Sequence, residues 1–300
     1  MRILAIGECM AELAPQQNAG TYNLGFAGDT FNTAWYLAQI SNDVDVAYLT
    51  AVGNDAISQQ MRDMIVSSGI DDSPIMTVQD ATVGLYLITL DNGERSFSYW
   101  RGQSAARQLA NDPAKLNAAV NGADIVYFSG ITLAILNAES RATLLAVLAA
   151  ARANGKTIVF DPNLRPRLWP DTNTMTAAIM EGAAVSDVAL PSFEDEAAWF
   201  QDADPIATAD RYADAGATTI VVKNGEGPVL YRGANGEGTV TVTPIKDVTD
   251  TTAAGDSFNA AILAGIATAQ PLPDSIAAAC ALAGKVVQSR GALVPITQDR

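Results

Sequence analysis

The sequence predicts an α/β protein: a mostly parallel sheet covered by helices on both faces, with a smaller β-sheet attached. Three observations predict it. From about residue 124 onward, short apolar runs alternate with helical segments, a rhythm that requires right-handed βαβ crossovers. Several strands read as near-continuous apolar runs, as in ILAIG at 3–7 and TIVF at 157–160, which suits burial on both faces. Residues 83–100 break the rhythm, with alternating aromatic residues on either side of a D-N-G turn, the mark of a hairpin.

The elements follow in order. Residues 3–7 form the first strand, 31–40 a helix, 46–53 a second strand and 57–68 a helix. The hairpin 83–100 comes next, its turn built from Asp91, Asn92, Gly93 and Glu94. Strands are then expected at 124–130, 157–163, 187–192 and 218–225. Helices are expected at 140–152, 176–182, 194–200 and 205–215, and the chain closes with helices at 257–268 and 274–289. At about 150 residues per domain, 300 residues allow two domains, but an α/β fold of this size also forms one unit with an appendage.

Composition removes several chemistries. The chain has no His, which excludes Ser-His-Asp and Cys-His catalysis and imidazole metal sites. Its two cysteines, Cys9 and Cys280, form no C-x-x-C, so a disulfide scaffold is not expected and a reducing compartment fits. Proton transfer falls to a carboxylate, Lys, Tyr or thiol. A net charge of −15 argues against nucleic acid as a partner, though not against a small phosphate held by local amides. Residues 3–7 are too short for a signal sequence and are followed by Glu8 and Glu12. The Ala/Leu-rich run 142–151 is too short to span a bilayer, and the cytoplasm is the expected location.

The most informative segment is Asp250-Thr-Thr-Ala-Ala-Gly-Asp256, which leads into a helix. Small residues at Ala253, Ala254 and Gly255 let a ligand approach the backbone. The helix start offers free N–H groups and the positive end of its dipole, an anion site without a cationic side chain. Asp256 in the first turn can serve as a helix cap or as a catalytic group. Gly25 and Gly28 before a helix would, taken alone, read as a turn. Ligands of such sheets lie beyond the carboxyl ends of the strands, where this chain places Asp161, Asn163, Arg165, Ser192, Lys223, Gly225 and Gly227.

Together these segments resemble the ribokinase (PfkB) family of sugar kinases. The family signature is close to D-T-x-G-A-G-D, and Ala253 stands here where Gly is usual. The segment from Gly25 through Gly28 to Asn32 and the landmark Gly53-Asn-Asp55 match as well. The resemblance implies a ribokinase-like three-layer α/β/α sandwich. One catalytic domain would span 1–300, with lid segments at about 11–25 and 83–101. It assigns Asp256 as the base, the amides of Ala253, Ala254 and Gly255 as the anion hole, and Arg165 as a residue facing both substrate and transferring phosphate. The methyl of Ala253 is expected to need a non-glycine backbone conformation while leaving the N–H donors in place.

Within the family the chain is most similar to the kinases of 2-keto-3-deoxygluconate. Gly28-Asp-Thr-Phe-Asn32, Tyr86, Tyr99-Trp-Arg101 and Asp161-Pro-Asn-Leu-Arg165 carry that similarity. It implies transfer of phosphate from ATP, with Mg²⁺, to the terminal hydroxyl of this acid sugar, giving the 6-phosphate. Gly28, Asp29, Thr30 and Asn32 would contact sugar hydroxyls. Tyr86, Tyr99 and Arg101 would reach in from the lid, the guanidinium matching a planar carboxylate. At least one of Tyr99 and Trp100, on opposite faces of a strand, is expected to pack. On the nucleotide side the resemblance places Asn163, Ser192, Lys223, Gly225, Gly227, Ala254, Gly255 and Cys280, although burial of Cys280 as a small hydrophobe is the competing reading. Asp195 would reach the metal through water. A homodimer or higher homo-oligomer through lid sheets is implied, with neither nucleic acid nor membrane as partner. A kinase of a neutral sugar (fructose or ribose) and a non-catalytic sugar-binding sensor are the alternatives. A dinucleotide dehydrogenase is disfavoured, because Gly7 is not followed by G-x-G-x-x-G.

Overall fold

The computed structural model describes residues 1–18, 20–91 and 94–296. The chain opens with β1 (Arg2–Ile6), β2 (Met10–Pro15) and β3 (Tyr22–Ala27), then α1 (Asp29–Ile40), β4 (Asp45–Leu49), β5 (Ala51–Val52), α2 (Ala56–Ser67) and β6 (Met76–Thr77). β7 (Gly84–Asp91) and β8 (Glu94–Trp100) form the hairpin, and its turn residues Asn92 and Gly93 lie outside the described residues. Next come α3 (Pro113–Asn121), β9 (Ile125–Ser129), α4 (Gly130–Ile135), α5 (Ala138–Ala153), β10 (Thr157–Asp161), α6 (Thr172–Ala184) and β11 (Val188–Ala189). The chain continues through α7 (Phe193–Phe200), α8 (Pro205–Ala215), β12 (Thr219–Val222), β13 (Val229–Gly233) and β14 (Gly236–Val240), and ends with α9 (Ala254–Ala267) and α10 (Leu272–Val286).

The main sheet has eight strands in the order β14-β13-β12-β11-β10-β9-β1-β4. It is parallel from β4 to β12, and β13 and β14 add an antiparallel edge. Side-chain alternation sorts the core into two layers. Ile3, Ala5, Val46, Tyr48, Ile125 and Tyr127 pack with residues of α1, α9 and α10. Leu4, Ile6, Ala47, Leu49, Val126 and Phe128 pack with residues of α3, α5, α6 and α8. This is the three-layer sandwich that the sequence implies. Helix starts are set locally: Asp55, Asp112, Asn137, Asp171 and Asp204 each accept a backbone N–H of the first turn.

A second sheet, β3-β2-β7-β8, has four strands. Register places Gly25, Glu12, Tyr86 and Tyr99 in one row across it. Glu12, Tyr86 and Tyr99 share one face; Leu13, Leu24, Leu87 and Trp100 share the other.

The structure corrects several sequence expectations. The strand expected over 46–53 breaks at Thr50 into β4 and β5, because β5 leaves the main sheet to pair with β6. α3, α4 and the β13–β14 ribbon were not anticipated. The ribbon's apolar run is short, Val229 to Tyr231, and β14 is interrupted by Gly236 and Gly238. Tyr99 and Trp100 are both exposed, 52% and 60%, because β8 is the edge strand of its sheet. Among the described residues no helix is long and apolar enough to cross a membrane.

Candidate active site

The loop before α9 is fixed by Asp250. Its carboxylate accepts the Thr252 N–H (3.1 Å) and hydroxyl (2.7 Å) and, on its other oxygen, the Gly291 N–H (2.8 Å). Ala253 then takes φ +61°, in the left-handed region. This overturns the expected non-glycine conformation: the methyl is accommodated in the geometry a glycine would adopt. The N–H of Ala254 donates to Thr251 O (3.2 Å), so that amide is already engaged. The N–H groups of Gly255 and Asp256 lie in the first turn, where a helix supplies no acceptor, and form the better anion donors.

Asp256 caps nothing, since α9 has no side-chain cap. Instead its Oδ2 accepts from Asn32 Nδ2 at 2.8 Å, and Asn32 Oδ1 accepts the N–H of Gly28 at 3.3 Å. Gly28 is required here, because a Cβ would fall 2.1 Å from Glu8 O. Burial pushes the Asp256 carboxyl up to about 8, the Asp29 and Asp161 charges add to the rise, and Asn32 and Lys223 oppose it. Burial also raises Asp29, opposed by hydrogen bonds from Ser129, the Thr30 N–H and Asn163.

Beneath this loop lies a closed polar network. Lys223 Nζ is 3.2 Å from both Asp161 Oδ1 and Asn259 Oδ1. Asn259 Nδ2 reaches Asp161 Oδ2 (2.8 Å) and the Tyr127 hydroxyl (3.1 Å). Asp161, Asn259 and Tyr127 are buried, so each polar atom needs such a partner.

Several predicted sugar ligands have other partners in this structure. Thr30 is fully buried and its hydroxyl pairs with that of Tyr48 (3.1 Å), so its side chain turns into the core. Asn32 is engaged by Asp256 and Gly28. Tyr86 is buried and donates its hydroxyl to Glu12. Its ring lies 5.9 Å from that of Tyr99, and the Arg101 guanidinium lies 6.0 Å from the Tyr99 ring, so the three are neighbours. Arg101 is not a free carboxylate clamp. Its Nη2 is paired with Glu8 in a buried contact, and Glu8 also accepts the Ser104 hydroxyl. A fully buried carboxylate requires such a counter-charge.

On the other side, Arg165 is 51% exposed, donates to Leu164 O (2.7 Å) and faces Asp195 at 3.8 Å. Burial raises the Asp195 carboxyl and Arg165 opposes the rise. Ser192 starts α7, bridged through its backbone to Lys223. One turn on, the buried Glu196 is held by Arg211 Nη2 (2.8 Å) and the Tyr212 hydroxyl (3.0 Å), which anchors α7. Gly225 has φ +54°, the left-handed region that favours glycine, and a Cβ on Gly227 would displace the Asn224 side-chain amide, 2.5 Å away. Asn163, expected on the nucleotide side, has φ +35° and donates to Asp29 Oδ2 (2.9 Å), which ties it to the sugar side. Cys280 packs against the core as a partly buried hydrophobe, and burial raises its thiol.

These residues fit a magnesium-bound triphosphate. A helix start with free N–H groups, the Lys223 ammonium and the half-open Asp195 supply one anion hole, one cation and one carboxylate. Among the described residues no three His, Cys, Asp or Glu side chains cluster to hold a metal by themselves. Mg²⁺ commonly relies on one or two carboxylates plus substrate phosphates. Sequence reasoning missed Glu8, Glu12 and Asn259 as parts of the site. The one available signal for Asn259 was its place one turn after Asp256.

Comparison with known proteins gives a consistent set of relatives. A family model described as pfkB family carbohydrate kinase matches residues 1–299. The chain is 39% identical over 306 residues to the 2-dehydro-3-deoxygluconokinase of Escherichia coli strain K12, covering 98% of this chain and 97% of that one. It is 37% identical over 300 residues to the protein of the same name from Haemophilus influenzae, covering 98% and 95%. Among solved structures, the PfkB protein from Polaromonas sp. JS666 matches with a TM-score of 0.84 at 25% identity, covering 96% of each chain.

Proposed function

The chain belongs to the pfkB family of carbohydrate kinases, and from that premise we propose that it phosphorylates 2-keto-3-deoxy-D-gluconate (2-dehydro-3-deoxygluconate) on its terminal hydroxyl, giving the 6-phosphate. The observation that carries the reading is Asp256, presented by the start of α9 and held by Asn32 at 2.8 Å. The substrate follows from the 37–39% identity to 2-dehydro-3-deoxygluconokinases over nearly the whole chain.

ATP with Mg²⁺ supplies the phosphoryl group. The Asp256 carboxylate takes the proton of the sugar's terminal hydroxyl as that oxygen bonds to phosphorus, and ADP is the leaving group. The N–H groups of Gly255 and Asp256 face the developing charge. Lys223 and the turn at Gly225 and Gly227 hold the polyphosphate. Asp195 would reach the metal through water, and Arg165, 3.8 Å from Asp195, would face both substrate and transferring phosphate. Asp29 and Gly28 orient sugar hydroxyls, while Tyr99 reaches the sugar from the small sheet, beside the Arg101 guanidinium that Glu8 holds.

One catalytic domain carries all of this, and the small sheet (about 11–25 and 83–101) acts as a lid that excludes water. Its Glu12, Tyr86 and Tyr99 face would meet the sugar. The opposite face, with Leu24 at 45% and Trp100 at 60% exposure, would pair with a second copy to form a homodimer. The free cysteines and the need for ATP support a cytoplasmic location.

An ADP-release assay across 2-keto-3-deoxygluconate, its C4 epimer, fructose and ribose tests the reading. Preference for an acid sugar is expected. Faster turnover of fructose or ribose would replace it with a neutral-sugar kinase, the reading favoured by the engagement of Arg101 with Glu8. No ADP release with any of the four would leave the sensor.

A further inference from the structure

Lys223 enters the steps above only as a cation for the polyphosphate, yet the buried network it belongs to abuts the base. Lys223 Nζ would lie 3.9 Å from a Cβ on Gly255, the residue next to Asp256. The same ammonium is bonded to Asp161 and Asn259. Its side chain is 11% exposed and that of Asp161 4%, so water screens neither charge well. We propose that Lys223 and Asp161 form a charge couple beneath the anion hole whose members act in opposite senses on Asp256, making both of them positioning residues for the base.

The geometry supports opposed rather than joint action. Asn259 sits three residues after Asp256 on α9, so both side chains project from one face of that helix. Asn259 therefore fixes the couple at a set height below Asp256. A nearby cation favours the ionised base, and a nearby anion disfavours it. Lys223 accordingly opposes the rise of the Asp256 carboxyl and Asp161 adds to it. The other groups facing Asp256 are Asp29, Asn32 and Tyr36 from α1 and Tyr127 from β9. None of the four is a cation, and Lys223 is a positive charge acting on the base.

The inference rests on Asp256 as the base, but its test needs neither sugar nor nucleotide. The titration of Asp256 is followed by carboxyl ¹³C NMR of the full-length protein, the signal being assigned by its loss in D256N. In K223M the midpoint should rise by about one unit or more, and in D161N it should fall by a similar amount. The double variant should return near the wild-type midpoint. K223R, which keeps the charge, should stay within a few tenths. No rise in K223M, or no fall in D161N, overturns the proposal. If K223M fails to fold, D161N decides alone. A D161N midpoint that falls in a protein unable to phosphorylate any sugar would support the couple while refuting the kinase reading.

Discussion

The two sheets of this protein solve different problems. The main sheet is covered on both faces, and its polar residues sit where the strands end, paired with one another: Lys223 with Asp161, Asn163 with Asp29, Asn32 with Asp256. The small sheet leaves Leu24, Phe97, Tyr99 and Trp100 reachable by water, and its buried polar groups are tied down by glutamates, Tyr86 by Glu12 and Arg101 by Glu8. The difference teaches where rate and recognition reside. Groups at the ends of the main sheet are fixed by a core packed on both faces. Groups on the small sheet are held by the β1–β2 segment, Tyr86 by Glu12 and Arg101 by Glu8.

The sharpest way to break this division is at the base. D256N should lower kcat by about 10²- to 10⁴-fold, with sugar and nucleotide dissociation constants little changed. Near-normal turnover would end the assignment. The wild-type kcat/KM should climb with pH and level off above about pH 8, because the basic form of Asp256 grows in that range. The sign for stability is opposite. A carboxyl raised from 3.8 to about 8 contributes stability below pH 4 that is lost as pH rises through 8. Unfolding titrations of D256N should lack that slope.

A second test compares two arginines. R101A strips the counter-charge from a fully buried Glu8 and should destabilise the protein by about 3–5 kcal/mol. R165A, removing a half-exposed pair, should cost less than about 1 kcal/mol while raising KM for the acid sugar. Denaturant midpoints beside KM values check both. Equal stability losses would show that the two sheets are joined differently. Simple loss of activity in R101A therefore says little about substrate recognition.

The smallest effect is expected at Ala253. A253G relieves a left-handed alanine, worth about 1 kcal/mol. It loosens the unfolded chain by about 0.4–1 kcal/mol, so the net should stay within about 0.5 kcal/mol. Turnover should hold, since the amides remain. A tenfold fall in kcat would show that the methyl itself shapes the hole.

What could be read in advance follows from how local each signal is. The α9 loop is contiguous, and its small residues, helix start and Asp256 are legible in seven letters. Gly25 to Asn32 is contiguous too, but its glycines alone read as a turn, and only the family resemblance marked it as part of a site. The parallel sheet was legible because burial on both faces leaves unbroken apolar runs. Partners were not legible. Arg101 looked like a free guanidinium because Glu8 stands 93 positions away and reads only as a charge after a strand. Thr30 looked like a sugar ligand because nothing in its neighbours reveals the Tyr48 hydroxyl. The backbone of Ala253 was misjudged because the loop's fixation by Asp250 and Gly291 is a tertiary fact.

Asn259 follows Asp256 by three residues and is bonded to Asp161 at the end of a central strand. Rolling α9 about its own axis would tear that bond, so the Asp256 carboxylate is keyed to the middle of the scaffold like a cog on a shaft. Random mutagenesis that alters turnover should therefore find few hits along the outward side of this helix and many at the strand tips it engages.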